Sequence, residues 1–105
     1  MAAQVTSADF ASSVLESRVP VLVDFYADWC QPCRLQGPIL DELARESQDR
    51  FQVVKINADD DPSLAQQWGV SALPTLLVFH EGRVVRRLVG LQSKDALQNA
   101  LAAAV

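Results

Sequence analysis

Cysteine is scarce in this sequence, and so are the residues that could give it partners. The chain has two cysteines, Cys30 and Cys33, and one histidine, His80. That set is too small for a structural zinc site or an iron–sulfur cluster. Covalent attachment of a c-type haem needs a histidine directly after the second cysteine, where Arg34 stands. Two cysteines also cannot build a disulfide framework. Positive charge is in deficit: nine Lys and Arg stand against thirteen Asp and Glu, a formal charge of -4. This is the wrong sign for a protein held to phosphate backbones by its net field, so no nucleic-acid partner is expected. Long apolar runs are missing as well, none approaching the ~18–20 residues of a membrane span. The first twenty residues carry Asp9 and Glu16, their only basic residue is Arg18, and no apolar stretch precedes a small-residue cleavage site. No signal peptide is therefore expected, and the chain reads as soluble and cytoplasmic. Repeats, low-complexity tracts and linkers are absent, and the few glycines and prolines fall singly between periodic segments.

What is present suffices for one domain. At 105 residues with 50% hydrophobic and 21% charged side chains, the chain carries enough apolar material for a core, and a single domain over residues 1–105 is expected. Gln4–Val5 reads as a short leading strand. Thr6 with Asp9 resembles a capping box, and Phe10, Ala11, Val14 and Leu15 follow at helical spacing, predicting a helix over 7–17. Residues 21–26 form a nearly continuous apolar run suited to a strand covered on both faces, with Asp24 as its polar interruption. A helix is expected to begin at the cysteines and run toward Glu46, with Pro32 in its first turn and Pro38 kinking it.

A strand follows over 51–57, with Lys55 inside it. Asp61 as N-cap, Pro62 as first helical residue and Gly69 as stop bound a short helix. Residues 75–79 and 83–89 read as a hairpin around a His80–Gly82 turn, and Ser93 caps a closing helix. The order β-α-β-α-β-α-β-β-α predicts an α/β fold: a mixed five-stranded sheet with helices on both faces.

With metal and haem chemistry excluded for want of ligands, reversible redox chemistry is what remains for the pair. As a staple it would do little, since closing a four-residue loop constrains the unfolded chain by only ~2 kcal/mol. Residues one helical turn apart have Cα atoms roughly 5 Å from each other, within the span a disulfide accepts. Cys30 at the helix start faces unpaired N–H groups and the positive dipole end, which favour its thiolate and make it the expected attacking sulfur. Cys33, one turn inward, is expected to be more buried and to act as the resolving sulfur. Asp24 has two readings here: a general acid/base with a raised pKa, or a carboxylate satisfied by solvent. Lys55 is either its basic neighbour or a snorkelling strand lysine. Asp59–Asp61 reads as a helix start rather than a cation site, His80 as a solvated turn residue, Arg86–Arg87 as exposed strand positions or a docking point for an acidic partner, and Trp68 as packing.

Val23 to Cys33, then Pro38-Ile39-Leu40, Lys55, Pro74-Thr75 and Gly90 together resemble the thioredoxin family, over essentially the whole chain. The resemblance implies the thioredoxin fold and a protein-disulfide reductase whose redox centre is a Cys30–Cys33 disulfide, with no other cofactor and no metal. It makes Asp24 a buried acid that moves protons for the resolving thiol and Lys55 its matching basic neighbour. It implies a cis Leu73–Pro74 bond opposite the disulfide, and a client groove formed by Trp29, Gln31, Pro32, Leu73, Pro74 and Gly90, with Val89, Leu91 and residues 70–72 completing its apolar surface. Disulfide-containing client proteins and a thioredoxin reductase are the implied partners, and a monomer is the default for this size.

The sequence departs from the family in Gln31, where glycine is usual, in Tyr26 for a tryptophan and in Arg34 for a lysine. Gln31 leaves a more oxidising oxidase or isomerase open, and the apolar groove leaves open a binding module that clamps a partner without turnover.

Overall fold

Strand β2, Val21–Tyr26, is the axis of the structure, a computed structural model that describes residues 2–104. Its first five residues are fully buried because both faces of the sheet are covered, which is why the run lacks polar alternation. Strand β3, Gln52–Asn57, pairs with it in parallel, and the two-residue β1, Ala3–Gln4, lies parallel outside β3. On the other side β4, Thr75–His80, is antiparallel to β2, and β5, Arg83–Val89, is antiparallel to β4. The sheet order is β1-β3-β2-β4-β5, the mixed five-stranded arrangement that the element order predicts.

Alternation along β2 divides the core in two. Val21, Val23 and Phe25 join Phe10, Val14, Leu64 and Ala65 on one face. Leu22 joins Leu40, Leu43, Leu97 and Ala100 on the other. The second face is covered by α1, Gln31–Arg45, and α3, Lys94–Ala102; α2, Pro62–Gln67, covers the first. Asp24 has the parity of Leu22 and so faces α1. Helix α1 runs unbroken through Pro38, which lacks the N–H that would meet the Arg34 carbonyl. Its buried stripe is Cys33, Gln36, Leu40 and Leu43.

Local departures have local causes. The first helix is a π-helical turn, Ala11–Leu15, rather than an α-helix over 7–17. The Ser12 hydroxyl donates back to the Asp9 carbonyl (3.2 Å), and serine side chains that bond nearby backbone compete with regular α structure. Only half of the expected capping box forms: the Asp9 carboxylate accepts from the Thr6 N–H at 2.8 Å, but the Thr6 hydroxyl accepts from the Ala8 N–H. The helix N-cap is Phe10, with no side-chain cap. Asp61 stands at the N-cap of α2 but caps nothing with its side chain, which accepts from the Ser7 N–H across the chain at 3.4 Å. Ser93 does cap α3, accepting from the Ala96 N–H at 3.1 Å. His80 is half-buried as the last residue of β4, paired with Arg83, because the turn is only Glu81–Gly82. Both turn residues have positive φ (55° and 79°), the tight geometry that suits hairpin twist. The hairpin slips by one residue after Val78, leaving Val85 as a bulge in the edge strand.

Candidate active site

The end of β2 delivers the cysteines to the start of α1. Ala27 accepts from the Cys30 N–H (3.2 Å), and Cys30 takes the extended backbone of an N-cap (φ -86°, ψ 113°). Its Sγ accepts from the Cys33 N–H at 3.3 Å, so a sulfur does the work usually given to a Ser or Asp oxygen. Pro32 occupies the first turn, where no N–H is needed. Cys30 and Cys33 form a disulfide across one turn, with Cα atoms 5.2 Å apart.

The expected difference in burial is not there: each cysteine is 5% exposed. Both pack with Ala27, Tyr26 and Leu73, and joining them into one disulfide puts them under the same cover. What distinguishes them is position, Cys30 at the cap and Cys33 within the helix.

Asp24 lies in β2 with no exposed surface, and neither carboxylate oxygen has a hydrogen-bond partner among the described residues. Burial pushes its pKa from 3.8 up to about 7, and the charge of Lys55 opposes that rise. Asp24 and Lys55 are register partners on adjacent parallel strands. The Lys55 ammonium sits 4.5 Å from the centre of the Tyr26 ring, a cation–π contact, rather than on the carboxylate. The Tyr26 hydroxyl in turn donates to Gln4 at 2.9 Å. An open cleft of about 310 Å³ brings Cys33, Lys55, Tyr26, Arg34 and Gly37 to one place beside the disulfide. A larger cavity, about 600 Å³, lies at the other end of α1 against Leu43, Arg50, Phe51 and Leu101 and contains none of these groups.

Around the disulfide, Leu73–Pro74 is a cis peptide, and the Pro74 carbonyl accepts from the Gly90 N–H at 2.8 Å. Thr75, buried, donates its hydroxyl to the Ala72 carbonyl at 2.6 Å. Gln31 and Pro32 are exposed on the first turn of α1. Trp29 is 68% exposed, and Val89 and Leu91 are also open to solvent.

Four residues that hold this region together are not evident from the sequence alone. Asp59 accepts from the Trp29 indole N–H at 2.9 Å, which gives the first of the three aspartates a long-range role. Arg87 donates to the carbonyls of Trp68 (2.7 Å) and Gly69 (3.4 Å), so it is more than an exposed strand position. Gln36 is fully buried and bonds to Gln92, which bonds onward to Val89 and Gly90. Of these, Gln36 alone carries a sequence signal, as a polar residue in the apolar stripe of α1. Trp68 does pack, against Phe10 and Phe79 on the opposite face of the sheet.

Among the described residues, no group of three or more His, Cys, Asp or Glu side chains could hold a metal ion. No described helix is long and apolar enough to cross a membrane.

The sequence model of the thioredoxin family matches residues 1–103. The chain is 48% identical over 101 residues to thioredoxin 1 of Synechococcus elongatus, covering 96% of this chain and 94% of that one. It is 46% identical to thioredoxin 1 of a Nostoc species, over 95% of this chain and 94% of the relative. To the thioredoxin of Pyropia yezoensis it is 44% identical, over 93% and 92% respectively.

Proposed function

Since the chain belongs to the thioredoxin family and is a thiol–disulfide oxidoreductase whose redox centre is the Cys30–Cys33 pair, we propose a division of labour among its site residues. The Cys30 thiolate attacks one sulfur of a client disulfide, forming a mixed disulfide and releasing the client's first thiolate. The Cys33 thiolate then attacks Cys30 Sγ, forming the Cys30–Cys33 bond and releasing the second client thiolate. Two electrons pass to the client, and a reductase must return two to the pair.

The observation that carries this reading is the N-cap placement of Cys30, whose Sγ already accepts the Cys33 N–H. The same donor, with the positive end of α1, stabilises a thiolate there and lowers its pKa. Asp24 is the group that takes the proton from Cys33 as it attacks, because it faces α1 and titrates near neutrality. Lys55 keeps that acid from rising further. Trp29, Gln31, Pro32, Leu73, Pro74 and Gly90 form the groove in which an extended client lies, its backbone pairing beside the cis peptide.

Disulfide-bearing client proteins and reductases are the partners that the family implies. The finer assignment is to a thioredoxin reductase, in the cytoplasm, with this chain working as a monomer.

Replacement of Cys33 by serine is expected to accumulate a mixed disulfide on Cys30, and Cys30→Ser to abolish reduction of insulin. Reduction that survives Cys30→Ser would sink the mechanism. The potential of the pair, equilibrated with glutathione, separates reductase from oxidase: a reductase lies at or below about -220 mV, the upper end of the cytosolic poise.

A further inference from the structure

Gln36 is a polar residue buried in the stripe of α1 between Cys33 and Leu40, with no exposed surface. Such an amide is costly to bury unless both its ends are bonded. Here both ends go to one distant residue: Nε2 donates to the Gln92 carbonyl at 3.0 Å, and Oε1 accepts from the Gln92 N–H at 2.8 Å. Two bonds to the N–H and C=O of one residue fix orientation as well as distance. The Gln92 side chain continues the grip, donating to the carbonyls of Val89 (3.2 Å) and Gly90 (3.3 Å). The Gly90 N–H then reaches the Pro74 carbonyl. An unbroken series of bonds therefore runs from α1, one turn beyond Cys33, through the segment joining β5 to α3, and ends at the cis proline. On that segment Val89 and Leu91 present exposed apolar side chains, 56% and 46% accessible.

We infer that Gln36 is a positioning residue for client recognition: its two-ended bond to Gln92 holds the Val89–Leu91 rim at a fixed height beside the disulfide. The inference rests on the groove reading above. Gln36 touches no reacting atom, so its loss leaves the chemistry of the pair alone and loosens the surface against which a protein client packs. A small disulfide, which needs no rim, is indifferent to it.

The test compares insulin with a small aryl disulfide as substrates, the protein being recycled by dithiothreitol. Gln36→Met keeps the length and apolar contacts of the side chain but loses both bonds. It is expected to raise KM for insulin about fivefold with kcat unchanged, to leave the rate with the small disulfide as in the parent, and to speed amide exchange at Gly90 and Gln92. Gln92→Ala spares the interior of α1 and keeps the fold, and is expected to raise KM for insulin in the same direction by less. Unchanged insulin KM in both variants overturns the inference, as does a parallel loss with both substrates. Trp29→Ala separates the two readings. If it raises insulin KM while Gln36→Met and Gln92→Ala do not, only the clamp fails; if it too leaves KM unchanged, the groove reading fails and the clamp with it.

Discussion

Asp24 and Lys55 sit side by side in register on β2 and β3, yet their charges do not meet. The ammonium lies over the Tyr26 ring, and both carboxylate oxygens of Asp24 are without partners among the described residues. Desolvation therefore outweighs the attraction of Lys55 and the acid titrates at about 7.

A stability prediction follows from that imbalance. The fold holds the Asp24 proton up to about pH 7, and the unfolded chain releases it near 3.8. Between those values the native state binds more protons, so the contribution is fully present below about pH 4 and is lost as pH rises through 7, a swing on the order of 4 kcal/mol. Asp24→Asn removes it. Denaturant melts should show the variant level with the parent near pH 4 and more stable by roughly 2–4 kcal/mol at pH 8.

Activity should move the opposite way. If the Asp24 carboxylate accepts the Cys33 proton, release of client from the mixed disulfide speeds up as pH rises through about 7. Asp24→Asn is expected to slow that step about 100-fold and to erase the inflection. Lys55→Met should shift the inflection upward, because the charge that opposes the rise is gone. Single-turnover release from a preformed mixed disulfide, followed across pH, checks both; an inflection that survives in Asp24→Asn assigns the proton to another group.

The bond from Trp29 to Asp59 should be visible by NMR. Asp59→Ala is expected to shift the indole N–H resonance of Trp29 and speed its exchange, while the Trp68 signal stays in place. Both partners are exposed, so global stability should change by less than about 1 kcal/mol.

Two glycines near the site should respond to alanine with opposite signs. Gly90 has φ +88°, a conformation an L side chain resists, although a Cβ would meet nothing within 4 Å. Gly90→Ala should cost about 1–2 kcal/mol. Gly37 lies inside α1, where a Cβ would also find open space. Gly37→Ala should stabilise by about 0.5–1 kcal/mol. Thermal melts of the two variants decide the point.

Much of this fold is legible in the sequence because periodicity and punctuation are local signals. The apolar run at β2, the Ser93 cap and the helix opening at Cys30 each follow from residues within one turn of each other. The same locality explains the misses. Nothing near Asp61 says that its carboxylate will reach Ser7, and nothing near Asp59 points to Trp29. Part of the cover over the two cysteines is Leu73, which arrives from far along the chain. Gln36 is the instructive case, since a polar residue in a buried stripe signals that a partner exists without saying which one.

The bulge at Val85 bears on how this molecule behaves in a crowded solution. An open sheet ends in rows of unpaired amides that invite another chain to add itself, the first step toward aggregates. Here one margin is a strand of two residues, and the other is bent by the bulge and lined with Arg83, Arg86 and Arg87. Neither margin is long, flat and neutral enough to template growth. Both margins thus carry features that discourage a second sheet from adding to this one.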